Sequence, residues 1–274
     1  MKRSWYASPY ALWMVLFTVA PLLFVCYYAF TTPSGAFTLN NFTKIAQPMY
    51  MLVLWDSLRL ALYCTVLCLL IGYPAAYFLA SRDFTHAQSV VVLIIVPMWM
   101  NFLLRTYAMM TLLDDNGVLN SLLQSLHLGQ VKMIGTEGAV LMGLVYNYLP
   151  FMVLPIYTVL KKMDYSVIEA AQDLGCNPLR VMTRVVLPMS VPGIVSGITM
   201  VFMPAVTSFA ISTLLSNGKL RLAGDLIDYI FNQSSSPNRW NIGSSFSLMM
   251  LVLILISIGF LRKMDPDNQG GGMW

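Results

Sequence analysis

Residues that make or break covalent bonds are sparse and scattered in this 274-residue chain. Its two histidines are His86 and His127, and neither stands in an H-E-x-x-H zinc pattern. No G-x-S-x-G presents a serine nucleophile, and no G-x-x-x-x-G-K-S/T run cradles a nucleotide phosphate. The thiols are Cys26, Cys64, Cys68 and Cys176. Cys64 and Cys68, four residues apart, share a helix face, but no histidine or second cysteine pair completes a metal or redox set. They read as small apolar packing. No Asp or Glu falls near the middle of an apolar run, where a proton- or sodium-coupled carrier needs one. Catalytic and metal-binding functions find no residues to perform them, so any energy for work must come from a partner or an ion gradient.

The elements that hold these residues follow from composition. The chain is 58% hydrophobic and 10% charged, with mean hydropathy +0.69. Soluble domains average roughly 45–50% apolar and about 25% charged. That excludes a soluble enzyme, a disordered chain and a small disulfide-stapled module. Net charge +4 and pI about 8.8 are too mild to argue for nucleic acid. Six apolar runs lie near 10–30, 57–80, 88–113, 138–160, 189–215 and 242–262. Each is long enough, at about 1.5 Å per helical residue, to cross ~30 Å of hydrocarbon. Backbone groups in lipid must be satisfied internally, and period-2 barrel patterning is absent. The expected fold is all-α: a polytopic membrane helix bundle of six spans over 10–262. A cytoplasmic segment 1–9 precedes it, and a disordered Gly-rich tail 263–274 follows. The first run is too long for a cleaved signal peptide.

Charge sets the orientation. With the N-terminus inside, the short inner segments hold Lys2, Arg3, Arg82, Lys161, Lys162, Arg180, Arg184, Arg262 and Lys263. Both termini are then cytoplasmic. The outer loop 114–137 opens on Asp114-Asp115-Asn116-Gly117, a turn signal, and Val118, Leu119, Leu122, Leu123 and Leu126 then recur at helical spacing. A short interfacial helix is expected there. Prolines 74, 97, 150, 155, 192 and 204 sit in or near spans and kink them, as around a pathway, although proline is also simply common in membrane helices.

The most informative segment joins the fourth and fifth runs. Ser166 and Glu169 have the spacing of a capping box. Val167, Ala171 and Leu174 share a face, with Ala170 beside it. Gly175 suits the left-handed position that closes a helix, and Asn177-Pro178 suits the start of the next. Pro188 ends or kinks that second helix. A short exposed helix, a tight turn and a second helix entering the membrane are expected. A small-residue ridge of this kind fits a partner's groove, and it also fits a plain interfacial connector.

Glu169-Ala170-Ala171, Leu174, Gly175 and the later Pro188 resemble the EAA motif of ABC importer permeases with a MetI-like fold. Six spans with this loop between the fourth and fifth agree with it. Pro97-Met98-Trp99-Met100-Asn101, Arg105 and Tyr107 resemble a stretch of the first permease subunit of spermidine/putrescine importers. So do Gly72-Tyr73-Pro74 and the run from Gly143 through Tyr146, Pro150 and Pro155 to Tyr157. The likeness covers roughly 10–262 and is weakest in the outer loops. It implies a non-catalytic permease subunit in a bacterial inner membrane, working by alternating access. Its partners would be a second permease, two ATPase subunits carrying ATP and magnesium, and a periplasmic substrate-binding protein. This chain itself would bind no cofactor, metal or nucleic acid. Glu169, Ala170, Ala171, Leu174 and Gly175 would couple to the ATPase. Another small solute, or a stand-alone ion-coupled carrier, are the competing readings.

A polyamine is a flexible polycation, and its path needs carboxylates, carbonyls and aromatic faces that hold it weakly. Cation–π contacts are worth about 0.5–2 kcal/mol. Trp99, Asn101, Tyr107, Asp114, Asp115 and Tyr146 are the candidates. On one continuous helix Trp99 and Tyr107 share a broad face. Each aromatic also fits an interfacial belt or helix packing, and Asp114/Asp115 also fits a solvated turn. Arg105 sits awkwardly for a cation path and is expected to face a carboxylate or the interface.

Overall fold

The computed structural model describes residues 8–81 and 87–263. His86, nearly all of the expected N-terminal segment and all but the first residue of the expected tail lie outside them. α1 covers 8–29, with a π-helical turn at Val15–Val19. It is followed by α2 (Asn40–Ile45), α3 (Pro48–Ala80) and α4 (Ala87–Ile95), which tightens into a 3-10 turn at Val96–Trp99. Next come α5 (Phe102–Leu113), α6 (Val118–Ser125), α7 (Glu137–Lys162) and α8 (Ser166–Asp173). α9 (Pro178–Met189), α10 (Val191–Val206), α11 (Ala210–Leu215), α12 (Ala223–Asp228) and α13 (Arg239–Lys263) complete the order. Among the described residues the sole extended pairing is a bridge between Thr31 and Phe37.

Four helical stretches are long and apolar enough to cross a membrane: Leu12–Ala29, α3, α7 and Arg239–Leu261. Two bent pairs bring the number to six if each is one span. Ala87–Trp99 meets Phe102–Ser125 at 97°, and α9 meets α10 at 64°. The expected third span, 88–113, is therefore not one straight helix. Pro97 tightens its first arm, Met100 is extended (ψ 150°), and Asn101 restarts the helix as an N-cap. The expected fifth span also differs. It ends at Val206, and α11 is a separate short helix. The stretches 31–56 and 216–241, which lie between the apolar runs, are partly helical, holding α2 with the first turns of α3, and α12. The interfacial helix expected after Gly117 is present as α6.

By its contacts the chain divides into two units. The first takes residues up to Trp55 together with Asp225–Ile256. Its organising feature is the carboxyl end of α1. A helix leaves its last carbonyls without partners, and here side chains supply them. Asn41 Nδ2 donates to Ala29 O (3.0 Å) and Thr31 O (2.9 Å). Asn241 Nδ2 donates to Tyr28 O (3.1 Å) and Thr31 O (2.7 Å), and Ser245 Oγ donates to Ala29 O (3.1 Å). All three side chains are buried. Asn241→Leu leaves these carbonyls short of a donor, at about 1–3 kcal/mol. A drop in the thermal midpoint of the detergent-solubilised protein is the expected result, and an unchanged midpoint would show that the cap is dispensable.

The second unit takes Asp56–Gly224 and the chain from Ser257 onward. Its centre is the packing of α10 on α7, made close by glycine. A Cβ on Gly197 would lie 2.7 Å from Met152 Sδ and 3.2 Å from Met152 O. One on Gly193 would lie 3.1 Å from both Ile156 Cα and Pro155 O. Small residues four apart let membrane helices approach to backbone contact. Met152 is fully buried and reaches α3 too, where a Cβ on Gly72 would stand 3.1 Å from its Cγ. Tyr148 Oη donates to Pro204 O (3.2 Å), adding a polar tie between α7 and α10.

Candidate functional site

The segment leaving α7 builds an exposed hook. Met163 is extended (ψ 134°) and stops the long helix. Asp164 Oδ1 then accepts the Ser166 N–H at 3.0 Å. Tyr165 is already helical (φ −68°, ψ −22°) and takes the N-cap position without a side-chain cap. The capping box expected from Ser166 and Glu169 is thus not formed. The helix starts one residue early, Ser166 falls inside it, and Asp164 takes the Ser166 amide that the Glu169 carboxylate would accept in a capping box, while the Glu169 amide donates to Tyr165 O (3.1 Å). Ile168 is the buried side chain of α8. Glu169 and Ala170 are exposed, and Ala171 is half-buried.

The turn beyond α8 follows from one glycine. Gly175 has φ +77°, a conformation costing other residues about 1–2 kcal/mol. Its N–H donates to Gln172 O (2.8 Å), and the Cys176 N–H donates to Ala171 O (3.1 Å). These two bonds are the Schellman closure of a helix. Asn177 Oδ1 accepts the Arg180 N–H at 2.8 Å, and Pro178 begins α9, as expected. The turn pushes Leu174 (85% exposed) and Leu179 (73% exposed) outward. α9 carries a π-helical turn at Met182–Val186, and the chain bends at Ser190, two residues after Pro188. Two bulky apolar side chains flank a rigid, left-handed turn: a shape that a partner surface can grip.

The other candidates gather around the broken third span. Trp99 ends the 3-10 turn and is 80% exposed. Asn101 Oδ1 accepts the amides of Leu103 (2.9 Å) and Leu104 (3.4 Å), so this oxygen is committed to capping α5. Arg105 does not face a carboxylate. Among the described residues no acid pairs with it, and it is only 8% exposed. Its Nη1 donates back to Pro97 O (3.2 Å), and its Cζ lies 5.9 Å from the centre of the Tyr146 ring. Pro97 O thus accepts twice, from the Met100 N–H (3.3 Å) and from the guanidinium that folds back over the break. Tyr146, itself half-exposed, thus packs on the protein's own cation.

Trp99 and Tyr107 do not share a helix face, because the break at Met100–Asn101 separates them. The structure instead brings Tyr107 and Asp114 together. They line one hollow of about 320 Å³ with Met110, Thr111, Asn116 and Val118. Asp114 Oδ1 accepts the Asn116 N–H (3.1 Å), while Asp115 O accepts from Gln130 Nε2 (2.8 Å). An aromatic face and a carboxylate lining one hollow suit an organic cation. Two features of the second unit lie outside the expected sites: the Gly193/Gly197 seam and a hydrogen bond between Tyr73 and Ser190 (3.0 Å). The first has a sequence signal in its G-x-x-x-G spacing. The second joins residues 117 positions apart and has none.

The chain is similar to known proteins over most of its length. Residues 69–269 match the model of a family described as binding-protein-dependent transport system inner membrane component. A spermidine/putrescine transport system permease protein, PotB, of Haemophilus influenzae is 35% identical over 254 residues, covering 90% of this chain and 88% of its own. PotB of Escherichia coli strain K12 is 36% identical over 252 residues, covering 88% and 90%. In the solved structure of a bacterial alginate ABC transporter with its pentasaccharide-bound periplasmic protein, one chain superposes with TM-score 0.77. It is 18% identical, with 99% of this chain and 98% of that chain covered. That likeness shows the fold, an all-α permease of the ABC importer type. The chain therefore belongs to the binding-protein-dependent transport system inner membrane component family, as a multi-pass, non-catalytic subunit.

Proposed function

We propose that this chain is the permease subunit of an ATP-driven importer of spermidine and putrescine. The observation that carries the reading is similarity at 35–36% identity, over about nine-tenths of the chain, to permeases named for those solutes. The loop at about 162–188, with its hook at 166–178, is the coupling element. Glu169, Ala170, Ala171, Leu174 and Gly175 engage an ATPase subunit, with Leu174 and Leu179 as apolar anchors. The partners are a PotC-like second permease, two PotA-like ATPase subunits holding ATP and magnesium, and a PotD-like periplasmic binding protein. Both termini lie in the cytoplasm, a placement supported by Lys161, Lys162, Arg180 and Arg184 around the hook. Residues 10–262 form the membrane domain. Nucleotide binding moves the hook, and the spans shift between inward- and outward-open states.

The solute path runs past Trp99 and the Tyr107–Asp114 hollow, with Asn101, Asp115 and Tyr146 nearby. Tyr107 offers a ring face and Asp114 a carboxylate to an ammonium group. Both interactions are weak enough to release it. Tyr107→Ala removes about 0.5–2 kcal/mol of cation–π attraction. The half-saturating spermidine concentration for uptake is expected to rise about two- to thirtyfold, with little change in maximal rate. Asp114→Asn keeps an oxygen for the Asn116 amide, so a similar rise there isolates the charge.

The overall reading is tested by reconstituting the chain with its co-encoded partners in liposomes and measuring labelled spermidine uptake. Uptake that needs both ATP and the binding protein supports it. Stimulated ATP hydrolysis with spermidine left outside retains the permease and discards the polyamine. Uptake by this chain alone discards both in favour of a stand-alone carrier.

A further inference from the structure

A moving hook is useful only if its motion reaches the spans. α8 and the inner end of α3 flank open space. Between them lies a hollow of about 480 Å³ lined by Tyr77, Ala80, Ser81, Lys161, Tyr165 and Ile168. The firm connection lies further along. Ser190, fully buried, occupies the 64° bend between α9 and α10. Its hydroxyl donates to Leu187 O (2.9 Å). With its one proton used there, it accepts from the phenol of Tyr73 at 3.0 Å. Tyr73 is itself buried, 8% exposed, in the membrane-crossing helix α3.

The neighbours of Tyr73 make α3 yield at this point. Pro74 removes one backbone hydrogen bond and its ring crowds the preceding turn. Gly72 is bare of side chain where Met152 and Val153 approach. The bend that follows α9 is thus hydrogen-bonded to the one turn of α3 that carries both an internal proline and a glycine.

We propose that the Tyr73–Ser190 hydrogen bond is the clasp by which movement of the coupling element draws α3 along, making Tyr73 and Ser190 positioning residues for transport. The inference rests on reading the loop at about 162–188 as the coupling element. It does not depend on which solute is carried.

The experiment uses the complex assembled with its ATPase and second-permease subunits in nanodiscs. Spin labels report two distances to Thr158→Cys on α7. One runs from the native Cys176 in the hook, and the other from Phe78→Cys on α3, in a background where Cys26 and the unused thiol are serine. Cys64 and Cys68 are buried. ATP is expected to shift both distances in the otherwise unsubstituted protein. In Tyr73→Phe the Cys176 distance should still shift, while the Phe78→Cys distance stays at its nucleotide-free value. Ser190 keeps its bond to Leu187 O in that variant, so no buried hydroxyl is orphaned. The double variant Tyr73→Phe/Ser190→Ala removes both polar groups and should behave identically. Two results overturn the clasp: a Phe78→Cys shift that survives in both variants, or a Phe78→Cys distance that ATP never moves. Failure of spermidine uptake would instead strike the polyamine reading and leave these distances as they are.

Discussion

Gly175→Pro is expected to reduce ATP-driven uptake to background while the chain still inserts and assembles. Gly175 sits at φ +77°, and proline is locked near −65°. The substitution also deletes the N–H that donates to Gln172 O at 2.8 Å. The Schellman closure cannot form, so α8 loses its end and Leu174 loses its fixed bearing. A proline forced against such geometry costs about 3 kcal/mol or more, which is about a hundredfold in the population of the native turn. Gly175→Ala costs about 1–2 kcal/mol, or about five- to thirtyfold. Nothing lies within 4 Å of the position where a Cβ would stand, so its penalty is conformational rather than steric. The pair therefore forms a graded series. Reconstituted uptake should fall in the order glycine, alanine, proline, with membrane-inserted protein constant. Proline-bearing protein that transports at the normal rate would remove the hook from the coupling mechanism.

Gly197→Leu carries the second large effect, and it acts on stability rather than on coupling. Its Cβ would press on Met152 at both Sδ and the backbone oxygen, and only the sulfur end can move aside. α10 must then lift off α7. That displacement also strains the Tyr148 to Pro204 hydrogen bond. Overpacking costs about 1–3 kcal/mol where side chains alone must shift, and more where backbones must separate. Thermal unfolding of the detergent-solubilised complex should fall sharply, and little monodisperse protein should be recovered. Gly193→Leu meets Pro155 O and Ile156 Cα and should behave alike. Gly138→Leu, at the exposed start of α7, meets only Thr136 Oγ1 at 3.7 Å and should be tolerated.

What the sequence reveals depends on how local the physics is. The Gly175 turn, the Asn177 cap and helix α6 are legible because each is settled by a few adjacent residues. The apolar runs announce helices for the same reason. The capping box at Ser166 fails because Asp164, two residues upstream, takes the Ser166 amide that Glu169 would cap, and spacing alone does not rank the two acceptors. The third span misleads because hydropathy does not register a bend. Pro97 and Asn101 are visible in the sequence, but the extended Met100 between them and the return of Arg105 to Pro97 O are not. For that reason the shared face of Trp99 and Tyr107, which assumes an unbroken helix, does not exist. The Tyr107–Asp114 hollow emerges instead, from residues seven apart on one arm of the bend and the turn that follows it.

The buried amides at the end of α1 bear on how the chain is made. Asn241, which serves the carbonyl of Thr31, lies 210 residues later in the chain. Ser245 follows it, 216 residues after Ala29. Translation proceeds from the N-terminus, so the first span enters the bilayer long before its caps exist. Asn41 arrives early and covers Ala29 and Thr31 in the interim. Tyr28 O meets its asparagine donor only when α13 is inserted. Closure of this unit is thus a late, post-insertional event, and the last helix works as a seal. A chain that stops short of α13 keeps the Asn41 bonds but lacks the three bonds from Asn241 and Ser245.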